Sequence, residues 1–134
     1  MERLNPRRVV VLTIVLLVFG AVRMWTNPEI VSAAEEQALI VTLTLSPHGD
    51  TERIYALEDK LSAAIKKASA GEFDGDEFGK GTCTLYMYGP DAERLYGAVI
   101  QILKEYHPPK ASYLVKRFGK PGAREQRIDF GHGR

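Results

Sequence analysis

The chain has 134 residues, of which 45% are hydrophobic and 26% are charged, and its formal net charge is +1. These are the values of an ordinary globular protein, and the length allows one domain with a single core. The net charge favours no class of partner. Cys83 is the only cysteine, which excludes an intrachain disulfide; its place on the apolar side of a predicted strand indicates a buried structural thiol.

Charge is unevenly distributed along the chain. Residues 26–106 contain seven Lys and Arg against fourteen Asp and Glu, whereas residues 107–134 contain seven against two. An acidic body with a basic C-terminal part is typical of a polar binding face, or simply of solvated ends of strands and helices.

Residues 1–25 are predicted to be a signal peptide or a membrane anchor. Arg3, Arg7 and Arg8 precede an apolar run, residues 9–22, which ends at Arg23. As a helix this run would reach about 21 Å, short of the roughly 30 Å hydrocarbon core of a membrane. That length suits the hydrophobic region of a signal peptide.

Two outcomes remain open for this leader. It is cleaved near Ala33 or Ala34, or it stays as a tilted anchor over residues 9–25 with Trp25 at the membrane interface. The basic residues before the run favour a cytoplasmic N-terminus in both cases. We therefore expect an extracytoplasmic domain, either anchored to the inner membrane or released as a secreted or periplasmic protein, with residues 26–37 as a linker.

Residues 38–130 are predicted to form a single α+β domain, followed by a short tail at residues 131–134. Alternating apolar residues predict strands at Ala38–Leu45, Glu72–Phe78, Thr82–Tyr88, Ala111–Phe118 and Glu125–Phe130. Apolar residues spaced three and four apart predict two helices. The first helix is expected to be capped by Asp50 or Thr51, and the second to have Pro90 at its first position and to end before His107.

The order β-α-β-β-α-β with an extra C-terminal strand is the ferredoxin-like split βαβ pattern. It predicts an antiparallel sheet with both helices on one face. Cys83 and Leu85 would then face the helices, and Tyr86 and Tyr88 would lie on the open face of the sheet.

Aromatic and basic side chains of the open face and of the last two strands are the candidate binding residues. Tyrosine and arginine are enriched where proteins bind one another, so these side chains predict a protein partner. The alternative is that they only fill space beside neighbouring strands. The candidates are Tyr86, Tyr88, Tyr113, Arg117, Lys120, Arg124 and Arg127.

No motif predicts a catalytic site, a cofactor or a metal site. The acidic segment 72–77 lacks the spacing of a calcium loop, and the three histidines have no partner at metal-ligand spacing. We therefore favour a non-enzymatic domain. The alternative is a small ligand-sensing or hydrolytic domain in which Asp74, Asp76 or His48 lines a pocket.

A nucleic-acid-binding module is the second alternative. A basic ferredoxin-like sheet with exposed aromatic side chains can bind RNA. However, residues 82–88 lack the basic and aromatic pattern of an RNA-recognition strand, and the leader indicates a domain outside the cytoplasm. Nucleic acid is therefore not the expected partner.

Three segments of the chain resemble a small bacterial α/β domain family of uncharacterised proteins. They are Glu72–Gly75, Leu85–Ala92 and Gly119–Glu125. The size and layout are also similar to those of immunity proteins, which neutralise a partner toxin. This resemblance implies a protein partner, and it provides no catalytic residues to assign to this chain.

Overall fold

The computed structural model describes residues 35–131, which form five strands and two helices in the predicted order. The predicted leader, most of the linker and the last three residues of the tail lie outside the described residues. The elements are β1 (Gln37–Thr44), α1 (Thr51–Lys67), β2 (Glu72–Gly79), β3 (Thr82–Gly89), α2 (Ala92–Tyr106), β4 (Tyr113–Arg117) and β5 (Glu125–Asp129).

The strands form one sheet in the order β2-β3-β1-β4-β5, and every neighbouring pair is antiparallel. The first four strands and the two helices make the ferredoxin-like split βαβ arrangement, and β5 extends the sheet beside β4. The predicted α+β fold is therefore confirmed. β1 lies at the centre of the sheet, between β3 and β4.

Both helices pack against the same face of the sheet and enclose the core. On β3, Cys83, Leu85 and Met87 are each 0% exposed, as predicted for the side that the helices cover. The same face of β1 contributes Leu39, Val41 and Leu43. The helices contribute apolar side chains at spacings of three and four: Ile54, Leu57, Leu61 and Ile65 from α1, and Leu95, Val99 and Leu103 from α2.

α1 begins directly after Asp50, as predicted, but without a side-chain cap, whereas the start of α2 differs from the prediction. Asp50 is the N-cap residue of α1, but its carboxylate accepts a hydrogen bond from the backbone N–H of Ser46 at 2.8 Å instead of capping the helix. α2 is capped by Asp91, whose Oδ1 accepts hydrogen bonds from the backbone N–H groups of the second and third helical residues at 2.9 and 3.3 Å. Pro90 therefore precedes the cap and does not occupy the first helical position, because the aspartate beside it is the better cap.

Strand ends differ from the prediction by a residue or two. β1 begins at Gln37, within the predicted linker. β4 begins at Tyr113 and not at Ala111, because Ala111 has φ 70°, in the left-handed region and outside the range of a strand. Neither described helix is long and apolar enough to cross a membrane.

Candidate protein-binding surface

The sheet face away from the helices presents three cross-strand rows of side chains. The middle row runs from Tyr86 on β3 through Ile40 and Val115 to Arg127 on β5. One flanking row joins Glu72, Tyr88, Ala38, Arg117 and Glu125, and the other joins Glu77, Thr84, Thr42, Tyr113 and Asp129. We call these residues the open face.

The centre of the open face is neither buried nor fully exposed. Ile40, Tyr86, Tyr113 and Val115 all have intermediate exposure, because strands flank them but no described helix covers them. Half-exposed aromatic and branched side chains in a continuous array are suited to burial against a second surface. The predicted placement of Tyr86 and Tyr88 on this face is confirmed.

Tyr86 is held by an acidic neighbour on the edge strand β2. Its hydroxyl donates a hydrogen bond to Oε2 of Glu77 at 3.0 Å. This hydrogen bond raises the pKa of Tyr86, with smaller contributions from burial and from the charge of Glu77. Tyr88 lines a shallow depression of about 350 Å³ with Glu72 and Pro90. The β2 end of the open face is therefore tyrosine-rich with an acidic border.

The opposite end of the open face combines an aromatic ring with a guanidinium. The guanidinium of Arg127 lies 3.6 Å from the ring centroid of Tyr113 on the neighbouring strand. It also forms an ion pair with Asp129, at 2.8 Å from Nη2 and 3.0 Å from Nε. The stacking on Tyr113 and the ion pair with Asp129 hold the guanidinium of Arg127 in one orientation in the absence of a partner.

The remaining predicted basic residues lie toward the β4–β5 loop. Arg117 donates from Nε to the backbone oxygen of Gly119 at 3.0 Å, and the guanidinium of Arg124 lies 4.0 Å from the ring centroid of Phe118. Lys120 is exposed in the loop. These three residues lie at one end of the β4–β5 hairpin, beside the row that contains Tyr88.

The residues of the ligand-sensing alternative do not converge. His48 lies in the β1–α1 turn and is exposed, and the small depression beside it is lined by residues 48–53 alone. Asp74 has no partner on β3, because the register shifts between Phe73 and Gly75. Asp76 is directed to the helix face, where it lies near α1 and away from His48.

Sequence reasoning missed two polar residues that hold the scaffold of this surface. Lys116 on β4 is 5% exposed on the helix face, and its Nζ lies 2.8 and 3.0 Å from the carboxylate oxygens of Glu93 on α2. Lys116 alternates with Leu114 and Phe118 along the predicted strand, and this spacing could have placed it on the helix face. The side chain of Gln37 accepts a hydrogen bond from the backbone N–H of Ala92 at 2.9 Å, which no local pattern indicates.

No family model, curated protein or solved structure matches the chain. Function is therefore inferred from the surface itself.

Proposed function

We propose that this chain is a non-enzymatic binding domain, outside the cytoplasm, that docks an acidic surface of a partner protein onto its open face. The observation that carries the proposal is a continuous array across four strands, without a covering helix among the described residues: Tyr86, Ile40 and Val115 have intermediate exposure, and Arg127 is exposed. Aromatic side chains with arginine are the residues that dominate protein–protein binding energies.

The charge of the β4–β5 end supports an acidic partner. Arg117, Lys120, Arg124 and Arg127 belong to this hairpin and outnumber its two acidic residues, Glu125 and Asp129. Arg124 and Arg127 already stack on aromatic rings, so less side-chain freedom is lost when they bind a carboxylate. Planar guanidinium groups recognise carboxylates through paired hydrogen bonds.

The acidic edge at the other end supports a defined orientation of the partner. Glu72 and Glu77 on β2 lie at the opposite border of the open face from Arg127. Like charges that meet across an interface are unfavourable, so an acidic patch would be directed to the β4–β5 side. The same edge disfavours the phosphate backbone of a nucleic acid.

Inhibition of a partner toxin is the specific version of this proposal that the resemblance to immunity proteins supports. If the open face covered an acidic active-site cleft of the toxin, it would block the cleft, and this chain would not need to catalyse a reaction. Protein binding in general and toxin inhibition both require the open face to bind, so one test of this surface serves both.

A photo-crosslinking side chain at Val115 tests the proposed surface in the full-length chain. Val115 lies in the middle row of the open face, and the matched control position is Gln101, which is exposed on α2. We expect one protein to crosslink from Val115 and not from Gln101. That protein is then produced separately, and its affinity for the purified chain is measured by calorimetry.

Substitutions then connect the affinity to named side chains. Tyr88→Ala and Arg127→Glu are each expected to weaken binding at least tenfold, and Lys66→Glu, a charge reversal at an exposed position on α1, to change it less than twofold. Equal crosslinking from both positions, or unchanged affinity in Tyr88→Ala and Arg127→Glu, would remove the proposed surface. Crosslinking to a second copy of the chain would indicate self-association, and binding to nucleic acid that falls steeply with salt would indicate a nucleic-acid partner. Either result would contradict an acidic protein partner.

A further inference from the structure

A second cluster of polar side chains lies on the helix side of the sheet, away from the open face. Glu58 projects from α1, Asp76 from β2 and Cys83 from β3. A carboxylate oxygen from each acidic residue and the thiol sulfur all lie within 4.8 Å of one another. These residues are distant in sequence and meet only because α1 packs over the β2–β3 hairpin.

Two observations show that this cluster is not satisfied by the protein alone. Oε1 of Glu58 is buried and has no hydrogen-bond partner. Cys83 is 0% exposed, so its thiol is shielded from water as well. Buried polar atoms normally have a partner, because leaving them without one costs free energy.

The charges around Glu58 have the sign that favours a cation. The carboxylate oxygens of Glu58 and Asp76 lie within 4.8 Å of one another, and like charges at that distance repel. Within the described part of the chain, no lysine, arginine or histidine forms an ion pair with Glu58 or Asp76. A positive ion would therefore relieve the repulsion that the fold creates here.

We propose that Glu58, Asp76 and Cys83 bind one Zn²⁺ ion. Zinc accepts thiolate and carboxylate ligands together, whereas calcium and magnesium select oxygen alone. Two carboxylates and one thiolate leave a fourth tetrahedral position, which water can fill because Asp76 is exposed. The site is independent of the open face and of the partner proposed above.

The ligand atoms must move closer together to hold zinc. Zinc–oxygen and zinc–sulfur bonds of about 2.0 and 2.3 Å place tetrahedral ligands roughly 3.5 Å apart. The cluster spans up to 4.8 Å, and Asp76 is the exposed member that is free to adjust. Burial and the neighbouring carboxylates raise the pKa of Cys83 to about 12, so zinc must displace the thiol proton as it binds.

Metal titration of the purified full-length chain tests this site. With Zn²⁺ alone as the ligand, calorimetry is expected to give one ion per chain with micromolar or tighter affinity. Co²⁺ in place of Zn²⁺ is expected to give the near-ultraviolet thiolate-to-cobalt absorption and the strong visible bands of a tetrahedral site. Weak or absent binding of Zn²⁺ at millimolar concentration would overturn the proposal.

Three substitutions and two matched controls assign the ligands. Cys83→Ser is expected to abolish the thiolate-to-cobalt absorption, and Glu58→Gln and Asp76→Asn to weaken Zn²⁺ binding at least tenfold each. Asp59→Asn on α1 and Asp74→Asn on β2 remove neighbouring exposed carboxylates and are expected to change the affinity less than twofold. Asp76 is exposed, so Asp76→Asn should leave folding intact. This variant keeps the test valid even if Cys83→Ser is unstable. Unchanged Zn²⁺ affinity in Asp76→Asn would contradict the assignment.

Discussion

Gly89 at the end of β3 has no room for a side chain, because the backbone that leaves α1 passes directly against it. A Cβ added there would overlap the backbone oxygen of Ala70 and lie 3.2 Å from Cα of Gly71. Gly89→Ala is expected to lower the free energy of unfolding by about 1–3 kcal/mol, since backbone cannot yield as a flexible side chain can. Urea unfolding measures this change.

Gly97 in α2 is the matched control for that substitution. A Cβ added at Gly97 meets nothing within 4 Å. Gly97→Ala is therefore expected to raise the free energy of unfolding by about 0.5–1 kcal/mol, through the higher helix propensity of alanine. Equal effects of the two substitutions would show that the close approach at Gly89 does not limit stability.

Asp50 makes stability depend on acid pH through its hydrogen bond from Ser46. That hydrogen bond lowers the pKa of Asp50 below its ordinary value of 3.8. A carboxyl whose pKa is lower in the folded state stabilises the fold above its unfolded pKa and loses that contribution as pH falls through the folded pKa. Asp50→Asn is expected to be less stable than the parent at pH 7 and to approach it in acid, as measured by urea midpoints at both pH values. Parallel pH curves would contradict this account.

At the scale of the element, α2 depends on its aspartate cap. Oδ1 of Asp91 accepts from two backbone N–H groups at 2.9 and 3.3 Å. Asp91→Ala is expected to lower the free energy of unfolding by about 1 kcal/mol, while Asp91→Asn, which keeps an acceptor oxygen, should stay close to the parent. Thermal or urea unfolding distinguishes the two. A loss of similar size in both variants would assign the effect to charge and not to capping.

The elements themselves were predictable from the sequence because each buries one face. Alternation along β3 placed Cys83 and Leu85 under the helices and Tyr86 on the open face, since shifting the register by one residue would expose every apolar side chain. The start of α2 was not predictable at residue level. Pro90 and Asp91 are both favourable start residues, and only the hydrogen bonds decide between them.

The candidate sites were less predictable than the fold, because they depend on which strands are neighbours. The stacking of Arg127 on Tyr113 requires β5 to pair with β4 in one register. The group of Glu58, Asp76 and Cys83 requires α1 to lie over the β2–β3 hairpin, and none of the three has a metal-ligand spacing in the sequence. Composition and periodicity carry no information about either pairing.

At the scale of the whole molecule, the leader predicts where the domain acts. Because residues 9–22 are apolar and follow three arginines, we expect the domain on the outer side of the inner membrane. In a bacterial host, the domain should either be released with the periplasmic fraction or be cleaved by protease added to spheroplasts, and deletion of residues 9–22 should protect it. Protection of both forms would contradict an extracytoplasmic location, and the mass of the mature chain would show whether cleavage occurs near Ala33 or Ala34.

The most direct test of the central claim, that the open face binds a partner, is hydroxyl-radical footprinting of tyrosines. Tyr86, Tyr88 and Tyr113 lie on the open face, whereas Tyr55 is 51% exposed on α1 and serves as the control. The chain is labelled once after purification and once in its native envelope fraction. We expect the three open-face tyrosines to be protected in the envelope and Tyr55 to be labelled equally in both. Protection of Tyr55 with unchanged labelling of the open face would contradict the account.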